Sequence, residues 1–218
     1  MKFKPLSIKK SAISLKTIFT SLMLVTFLSS CTESSVPIEG VQYKRLPGII
    51  SSTKFSPITE VFSLTCGHCR EMEDTIPGLQ RTLRQNVTKM HIVFNQSAYI
   101  AAMFYYAAEM QSEGIPDYKF MQDLFATMQM PKNTSEELQR AAMIEVFESR
   151  GLVSPINYND EQFDALSKRV EEVERLSDQT QIQSVPTFIV SGKYQVLSSA
   201  HSSREELANT IKYLLAKQ

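Results

Sequence analysis

The feature that most constrains this chain is a pair of cysteines three positions apart at the start of a predicted helix. Cys66 and Cys69 lie in the stretch SLTCGHCREMED (63–74), which follows a strand-like segment, PITEVFSL (57–64). Beyond the pair, apolar residues recur at helical spacing, namely Met72, Ile76 and Leu79. Because residues three apart share one face of a helix, the two sulfurs can form a disulfide. The chain must therefore fold so that a strand delivers this pair to the start of a helix.

The position of Cys66 at the helix N-terminus favours an ionised thiol. Unpaired backbone N–H groups and the helix dipole stabilise an anion there, and thiol pKa values in such settings fall to roughly 3.5–7.5. His68 lies between the two cysteines and adds a favourable charge when it is protonated. A stabilised thiolate favours the reduced form of the pair, so the disulfide is readily transferred to other thiols. The pattern indicates a redox-active pair that oxidises its substrates.

Two other interpretations of the pair stay open on the sequence. A structural disulfide between Cys66 and Cys69 closes a loop with only two intervening residues, which gives little entropic stabilisation. A metal site needs three or four ligands, for which the chain offers the two cysteines, His68 and either His91 or His201. We interpret His91 as a core residue of a strand rather than as a functional group.

The N-terminal segment has the order of an export signal. Its first 30 residues contain five lysines and no acidic residue, and the lysines precede a short apolar run, TIFTSLMLVTFL (17–28). This run is too short for a comfortable transmembrane helix, which needs about 20 apolar residues, although an uncleaved anchor is an alternative. We predict a signal peptide over 1–30 and a polar tether over 31–40.

The end of the apolar run carries a second signal. LSSC (28–31) resembles the lipobox of bacterial lipoproteins, in which the cysteine is lipidated and becomes the first residue of the mature protein. The resemblance predicts a lipid on Cys31. In the sorting rule of such lipoproteins, Thr32 at the next position favours the outer membrane, because an Asp there marks retention at the inner membrane. Cys66 and Cys69 are then the one pair of thiols left in a compartment where disulfides persist.

The distribution of charge excludes one class of partner. The whole chain has 23 basic and 23 acidic residues, so removing the five lysines of the first 30 residues leaves 18 basic against 23 acidic residues. No excess of positive charge is left to bind phosphates, and we expect no nucleic-acid partner.

The remaining segments predict an α/β fold. VQYKRL (41–46) is typical of an edge strand, and KMHIVFN (89–95) is typical of a third strand. SVPTFIVSGKYQVLSSA (184–200) predicts a hairpin that turns at Ser191 and Gly192.

Helical patterns occupy the rest of the chain. Every segment between residues 97 and 183 has helical spacing of its apolar residues, and REELANTIKYLLAK (204–217) predicts an amphipathic terminal helix. Within the first helix, Pro77 predicts a kink or a restart.

Three of these segments together resemble the DsbA family of bacterial thiol-disulfide oxidoreductases. They are EVFSLTCGHCREME (60–73), TKMHIVF (88–94) and SVPTFIVSGKYQV (184–196). The resemblance implies a thioredoxin-like mixed sheet with an inserted all-helical domain. The thioredoxin-like domain would comprise 41–96 and 184–218, and the insertion would comprise 97–183.

The resemblance also implies roles for residues around the pair. Cys66 would be the exposed nucleophilic cysteine and Cys69 its buried partner. Pro186 would follow a cis peptide bond and face the disulfide, which leaves the backbone of Val185 free to pair with an extended substrate peptide. Gly67 would border the bound peptide.

Two charged residues match a further feature of the family. Glu60 and Lys89 correspond to its charged pair beneath the active site, with two solvated strand residues as the alternative. The chain departs from the family at Gly67, since DsbA proteins usually have Pro-His between the cysteines. The Gly67-His68 dipeptide found here is typical of eukaryotic disulfide isomerases. Val185 is oxidase-like, since related isomerases tend to carry Thr before the proline.

These observations predict a periplasmic thiol-disulfide oxidoreductase that introduces disulfides into exported proteins. We expect reduced exported proteins as substrates, a DsbB-type membrane oxidase as electron acceptor, no cofactor, and a monomer anchored to the membrane by its lipid. A reductase or isomerase for a narrow set of clients is the alternative within this class. A Cys-x-x-Cys metal-handling module is the alternative from another class.

Overall fold

A five-stranded mixed sheet lies at the centre of the residues that the computed structural model describes, 36–50 and 57–217. The predicted signal peptide and Cys31 lie outside these residues. The strands are β1 (Tyr43–Arg45), β2 (Ile58–Phe62), β3 (Thr88–His91), β4 (Thr187–Val190) and β5 (Tyr194–Val196). Their order in the sheet is β1-β5-β4-β2-β3; β2 and β3 are parallel, and the other neighbours are antiparallel. The prediction of a mixed sheet with an edge strand at the N-terminal side is confirmed.

Six α-helices surround the sheet in the described part of the chain. They are α1 (Gly67–Leu83), α2 (Gln96–Gln111), α3 (Tyr118–Met128), α4 (Glu136–Glu148), α5 (Asp160–Thr180) and α6 (Arg204–Ala216). Helices α2 to α5 follow one another between β3 and β4, where the sequence predicts a block of helices. Within the described residues, each helix is either too short or too polar to cross a membrane.

The helices bury both faces of the sheet. Along β4, Phe188 and Val190 pack into an apolar cluster with α1 and α6, whereas Ile189 packs into the cluster formed with α2 to α5. Alternate side chains of a strand point to opposite faces, so a strand at the centre of the sheet is covered on both sides. All five residues of β2 are buried for this reason, including the charged Glu60.

Two local predictions need correction. The third strand ends at His91 rather than Asn95, because the last ladder bond, from Ile92 N–H to Phe62 O (2.9 Å), coincides with the end of β2. Helix α1 runs through Pro77 without a restart. A proline inside a helix removes one backbone hydrogen bond, and here the buried face of α1 holds the helix together.

The hairpin between β4 and β5 turns as predicted. Ser191 and Gly192 both have positive φ angles, 52° and 63°, which suit a two-residue hairpin turn. A Cβ atom at Gly192 would lie 2.5 Å from the carbonyl oxygen of Ile50, so this position also requires glycine for a close backbone contact.

Candidate active site

Cys66 is the N-cap residue of α1. Its backbone is extended, with φ −97° and ψ 117°, and its Sγ accepts a hydrogen bond from the backbone N–H of Cys69 at 3.3 Å. Cys66 is half-buried and Cys69 is fully buried, and both are free thiols in this structure. One sulfur therefore reaches solvent at the positive end of the helix dipole, while the other lies behind it.

The two thiols have opposite pKa shifts. The pKa of Cys66 is lowered to about 6, mainly by the hydrogen bond from the Cys69 side chain, with smaller contributions from the Cys69 backbone N–H and the charge of His68. Partial burial opposes this shift. The pKa of Cys69 is raised far above its ordinary value by its hydrogen bond to Cys66 and by burial, and the charge of Glu60 adds to the effect. Near neutral pH, Cys66 is the thiolate and Cys69 the thiol.

The loop before β4 faces this sulfur. The Val185–Pro186 peptide bond is cis, as expected from the resemblance. The carbonyl oxygen of Val185 lies 3.6 Å from Cys66 Sγ and accepts a hydrogen bond from it when the thiol is protonated. The loop forms one wall of a groove of 570 Å³ whose lining includes His68, Thr75, Val185, Pro186, Leu197 and His201. Through Val185, the groove adjoins the residue that contacts the Cys66 sulfur.

The two residues between the cysteines lie at the protein surface. Gly67 and His68 are exposed, and a Cβ atom at Gly67 would meet no other atom within 4 Å. Packing therefore does not impose glycine at the position where DsbA proteins usually have proline.

A buried charged cluster lies beneath the pair. Lys89 Nζ contacts Glu60 Oε2 and Glu73 Oε1, each at 2.5 Å, and the register of the parallel strands places Lys89 directly opposite Glu60. The predicted pairing of Glu60 and Lys89 is confirmed. Glu73 is not among the residues predicted from the sequence, although a signal is present: it lies four residues after Cys69 and three before Ile76, on the face of α1 that the core buries.

The cluster holds more negative than positive charge. Burial raises the pKa of Glu73 to about 7 against the opposing effect of Lys89, with Glu60 contributing to the increase. Burial alone would lower the pKa of Lys89, but the two carboxylates outweigh it and the pKa is raised. Glu60 Oε1 is buried and has no hydrogen-bond partner among the described residues. Glu73 can therefore exchange a proton near neutral pH, while Lys89 stays charged.

Two of the three histidines considered as metal ligands have other partners. His91 Nε2 accepts a hydrogen bond from the backbone N–H of Leu64 at 2.9 Å, and burial lowers the pKa of His91 to about 3. His91 is thus a neutral core residue that supports the turn before Cys66. His201 contacts the Leu197 carbonyl and the Thr210 hydroxyl, at 3.0 and 2.9 Å.

A metal site at the pair lacks the ligands it needs. Across residues 36–50 and 57–217, no group of three or more His, Cys, Asp or Glu side chains is arranged to hold a metal ion. Nothing in the described structure therefore supports the metal-handling alternative.

Comparison with known proteins identifies the family. A profile described as thioredoxin matches residues 54–213. The chain belongs to the thioredoxin family. Within that family it is similar to the thiol:disulfide interchange protein DsbA of Salmonella typhimurium, with 27% identity over 214 residues that cover 90% of this chain and 95% of the relative.

Solved structures have the same fold as this thioredoxin-family chain. DsbA of Pseudomonas aeruginosa matches with a TM-score of 0.64 and 20% identity, over 83% of this chain and 94% of that one. DsbA of Xylella fastidiosa matches with a TM-score of 0.62 and 18% identity, over 84% and 97%. The chain is a DsbA-like thiol-disulfide oxidoreductase of the thioredoxin family.

Proposed function

We propose that this oxidoreductase acts as an oxidase, which introduces disulfides into exported proteins through a Cys66–Cys69 disulfide. The observation that carries the proposal is the environment of Cys66 Sγ, which sits at a helix N-cap, accepts the Cys69 N–H and has a pKa of about 6. A thiol that ionises below neutral pH stabilises the reduced pair, and so makes the disulfide a stronger oxidant.

The reaction transfers two electrons from the substrate to the protein. A substrate thiolate attacks Cys66 Sγ, the bond between the two protein sulfurs breaks, and Cys69 leaves as a thiolate that takes up a proton. A second substrate cysteine, as thiolate, then attacks the substrate sulfur of the mixed disulfide. This step forms the substrate disulfide and releases Cys66 as a thiolate.

The groove supplies the binding surface for this reaction. An extended substrate peptide would pair with the backbone of Val185, next to Pro186, by strand addition. The Val185 carbonyl is available for this pairing once the Cys66 sulfur no longer donates a hydrogen bond to it. His68 lines the same groove, and the exposed Gly67 beside it would border the bound peptide.

The charged cluster would exchange a proton with the buried Cys69 sulfur. Cys69 takes up a proton when it leaves Cys66 and must lose one before it attacks a mixed disulfide. Glu60 raises the pKa of Cys69 and Glu73 has a pKa of about 7, so this proton can be held within the cluster. Lys89 keeps at least one carboxylate ionised.

The proposal places the protein at the periplasmic side of the cell envelope. Its support is the lysine-rich N-terminal segment, the apolar run and the LSSC sequence that ends at Cys31. Thr32 favours the outer membrane over the inner membrane. The partners would be reduced exported proteins, and a DsbB-type membrane oxidase that regenerates the disulfide of a monomeric protein.

The redox equilibrium of the pair with a glutathione buffer tests the direction of electron flow. We expect a reduction potential less negative than about −180 mV, which marks an oxidant. A potential near about −270 mV would instead assign a reductase. Metal content of the purified reduced protein is the separate test of the metal-handling alternative, and a stoichiometric bound ion would support that alternative.

A further inference from the structure

We infer that Gln129 is a positioning residue that holds Cys66 in its reactive geometry. The inference rests on the proposed role of Cys66 as the sulfur that reacts with substrate. Gln129 lies in the helical block, 63 residues after Cys66, yet its side chain contacts the turn that carries the nucleophile.

The contact consists of two hydrogen bonds to backbone carbonyl groups. Gln129 Nε2 donates to the Leu64 oxygen at 2.9 Å and to the Cys66 oxygen at 3.1 Å. The Cys66 carbonyl receives only a longer bond within the helix, from Arg70 N–H at 3.3 Å. Gln129 thus links the carbonyl groups of the two residues on either side of Thr65, the last residue before the nucleophile.

The backbone of Gln129 is itself held in place. Gln129 is the C-cap of α3, and its backbone N–H bonds to the carbonyls of Phe125 and Thr127. One turn earlier in α3, the Phe125 ring packs 6.0 Å from the ring of Phe62 on the strand that delivers the active site. The donor therefore reaches the active-site turn from a fixed helix end rather than from a mobile loop.

These bonds affect the Cys66 thiolate in two ways. Carbonyl oxygens carry partial negative charge, and donation by an amide N–H reduces their repulsion of a nearby anion. The bonds also fix the extended backbone of Cys66, and this conformation aims its Sγ at the Cys69 N–H. Without Gln129, the thiolate would lose part of its stabilisation while the fold of α1 is retained.

The test compares Gln129→Met with Gln122→Met in the full chain. Met keeps the length of the side chain and removes its donors. Gln122 is the matched control, because it lies two turns earlier in α3 and accepts a 3.5 Å bond from Arg70 without contacting the active-site carbonyls. The measurement is the pH dependence of the alkylation rate of Cys66 in the reduced protein, followed by mass spectrometry of the peptide that contains it.

We expect Gln129→Met to lower the thiolate fraction of Cys66 about three- to tenfold at pH values below the midpoint, which is a rise of about 0.5 to 1 pKa unit. Gln129→Glu should raise the midpoint further, because a carboxylate donates no hydrogen bond and adds negative charge. Gln122→Met should leave the midpoint unchanged.

Two outcomes separate this inference from the proposed function. A wild-type midpoint near 6 that stays the same in folded Gln129→Met and Gln129→Glu proteins overturns the role of Gln129 and leaves the oxidase proposal intact. A wild-type midpoint near the ordinary value of about 8.5 removes the basis of the oxidase proposal itself.

Discussion

Replacing Lys89 by Met tests the charged cluster beneath the active site. The Lys89 ammonium contacts both Glu60 and Glu73, and the three side chains are only 5%, 0% and 4% exposed. Met keeps most of the aliphatic stem but removes the positive charge, so two buried carboxyl groups lose their counter-ion. Removing one partner of a buried pair lowers the free energy of unfolding by about 3–5 kcal/mol.

The size of this loss depends on pH. A buried carboxyl without a counter-ion becomes protonated, and for a glutamate with a pKa of about 4.3 in the unfolded chain this costs about 1.4 kcal/mol per pH unit above that value. The cost is about 5 kcal/mol at pH 8 and about 1 kcal/mol at pH 5. Glu73, with a pKa of about 7, is already largely protonated at pH 5 in the wild-type protein.

The direction in which stability changes with pH follows from the number of protons bound by the folded and unfolded chains. Above pH ~4.3 the folded variant binds more protons than its unfolded chain, so its stability falls as the pH rises. We expect Lys89→Met to lower the free energy of unfolding by about 3–5 kcal/mol at pH 8 and by only about 1 kcal/mol at pH 5.

Urea unfolding of the oxidised protein at both pH values measures this difference without a contribution from ionisation of the active-site thiols. Lys119→Met is the matched control, because Lys119 also pairs with a carboxylate, Asp123, at 2.9 Å, but its side chain is 78% exposed. The free energy of unfolding of the control should fall by less than about 1 kcal/mol. Equal losses by Lys89→Met at pH 5 and pH 8, or a loss at pH 8 no larger than that of the control, would refute the reasoning.

Three further predictions concern the cysteines and Glu60. In a Cys69→Ser variant, thiolate absorbance of Cys66 should titrate well below the ordinary thiol value of about 8.5, because the Ser hydroxyl can donate in place of the Cys69 thiol and the N-cap N–H bond and His68 remain; a midpoint near 8.5 contradicts this. Cys31→Ser should leave a misprocessed or unanchored protein, and mass spectrometry of the membrane fraction decides this; an unmodified Cys31 in a wild-type chain that retains Met1 contradicts the lipid. Glu60→Gln should slow attack by Cys69 on a mixed disulfide with a model peptide, while the first step at Cys66 stays nearly unchanged; stopped-flow kinetics resolve the two steps, and equal slowing of both contradicts a proton-transfer role.

Local patterns were sufficient to predict most of the secondary structure. The hairpin at 184–200 follows from two short apolar segments around Ser191 and Gly192, and the cysteine pair follows from a strand that runs directly into a helix. The end of the third strand could not be predicted locally, because it depends on where β2 ends. Of the kink or restart predicted at Pro77, the restart does not occur, because the buried face of α1 holds the helix together through the proline.

The parts of the site that the sequence did not predict are the ones that depend on distant contacts. Glu73 lies on a helix with mixed polarity, and its contact with Lys89 joins residues of two different elements, α1 and β3, that lie 16 positions apart. Gln129 carries no pattern of its own, since a polar residue at the end of a helix is usually solvated. Its bonds to the active-site turn exist only because α3 docks beside the strand that leads to Cys66.

Strands β2 and β4 pair at the centre of the sheet although they lie far apart in the sequence, and this separation has a consequence for how the protein matures. Thr59 of β2 pairs with Ile189 of β4, so the whole block of helices α2 to α5 is made before the sheet can close. Chains are synthesised from the N-terminus, so Cys66 and Cys69 emerge long before Val185. The nascent chain therefore carries a reactive dithiol that has neither its groove nor its central strand. If the protein is the oxidase proposed above, its own incompletely folded chain is a thiol substrate during this interval, open to oxidation by copies that have already matured.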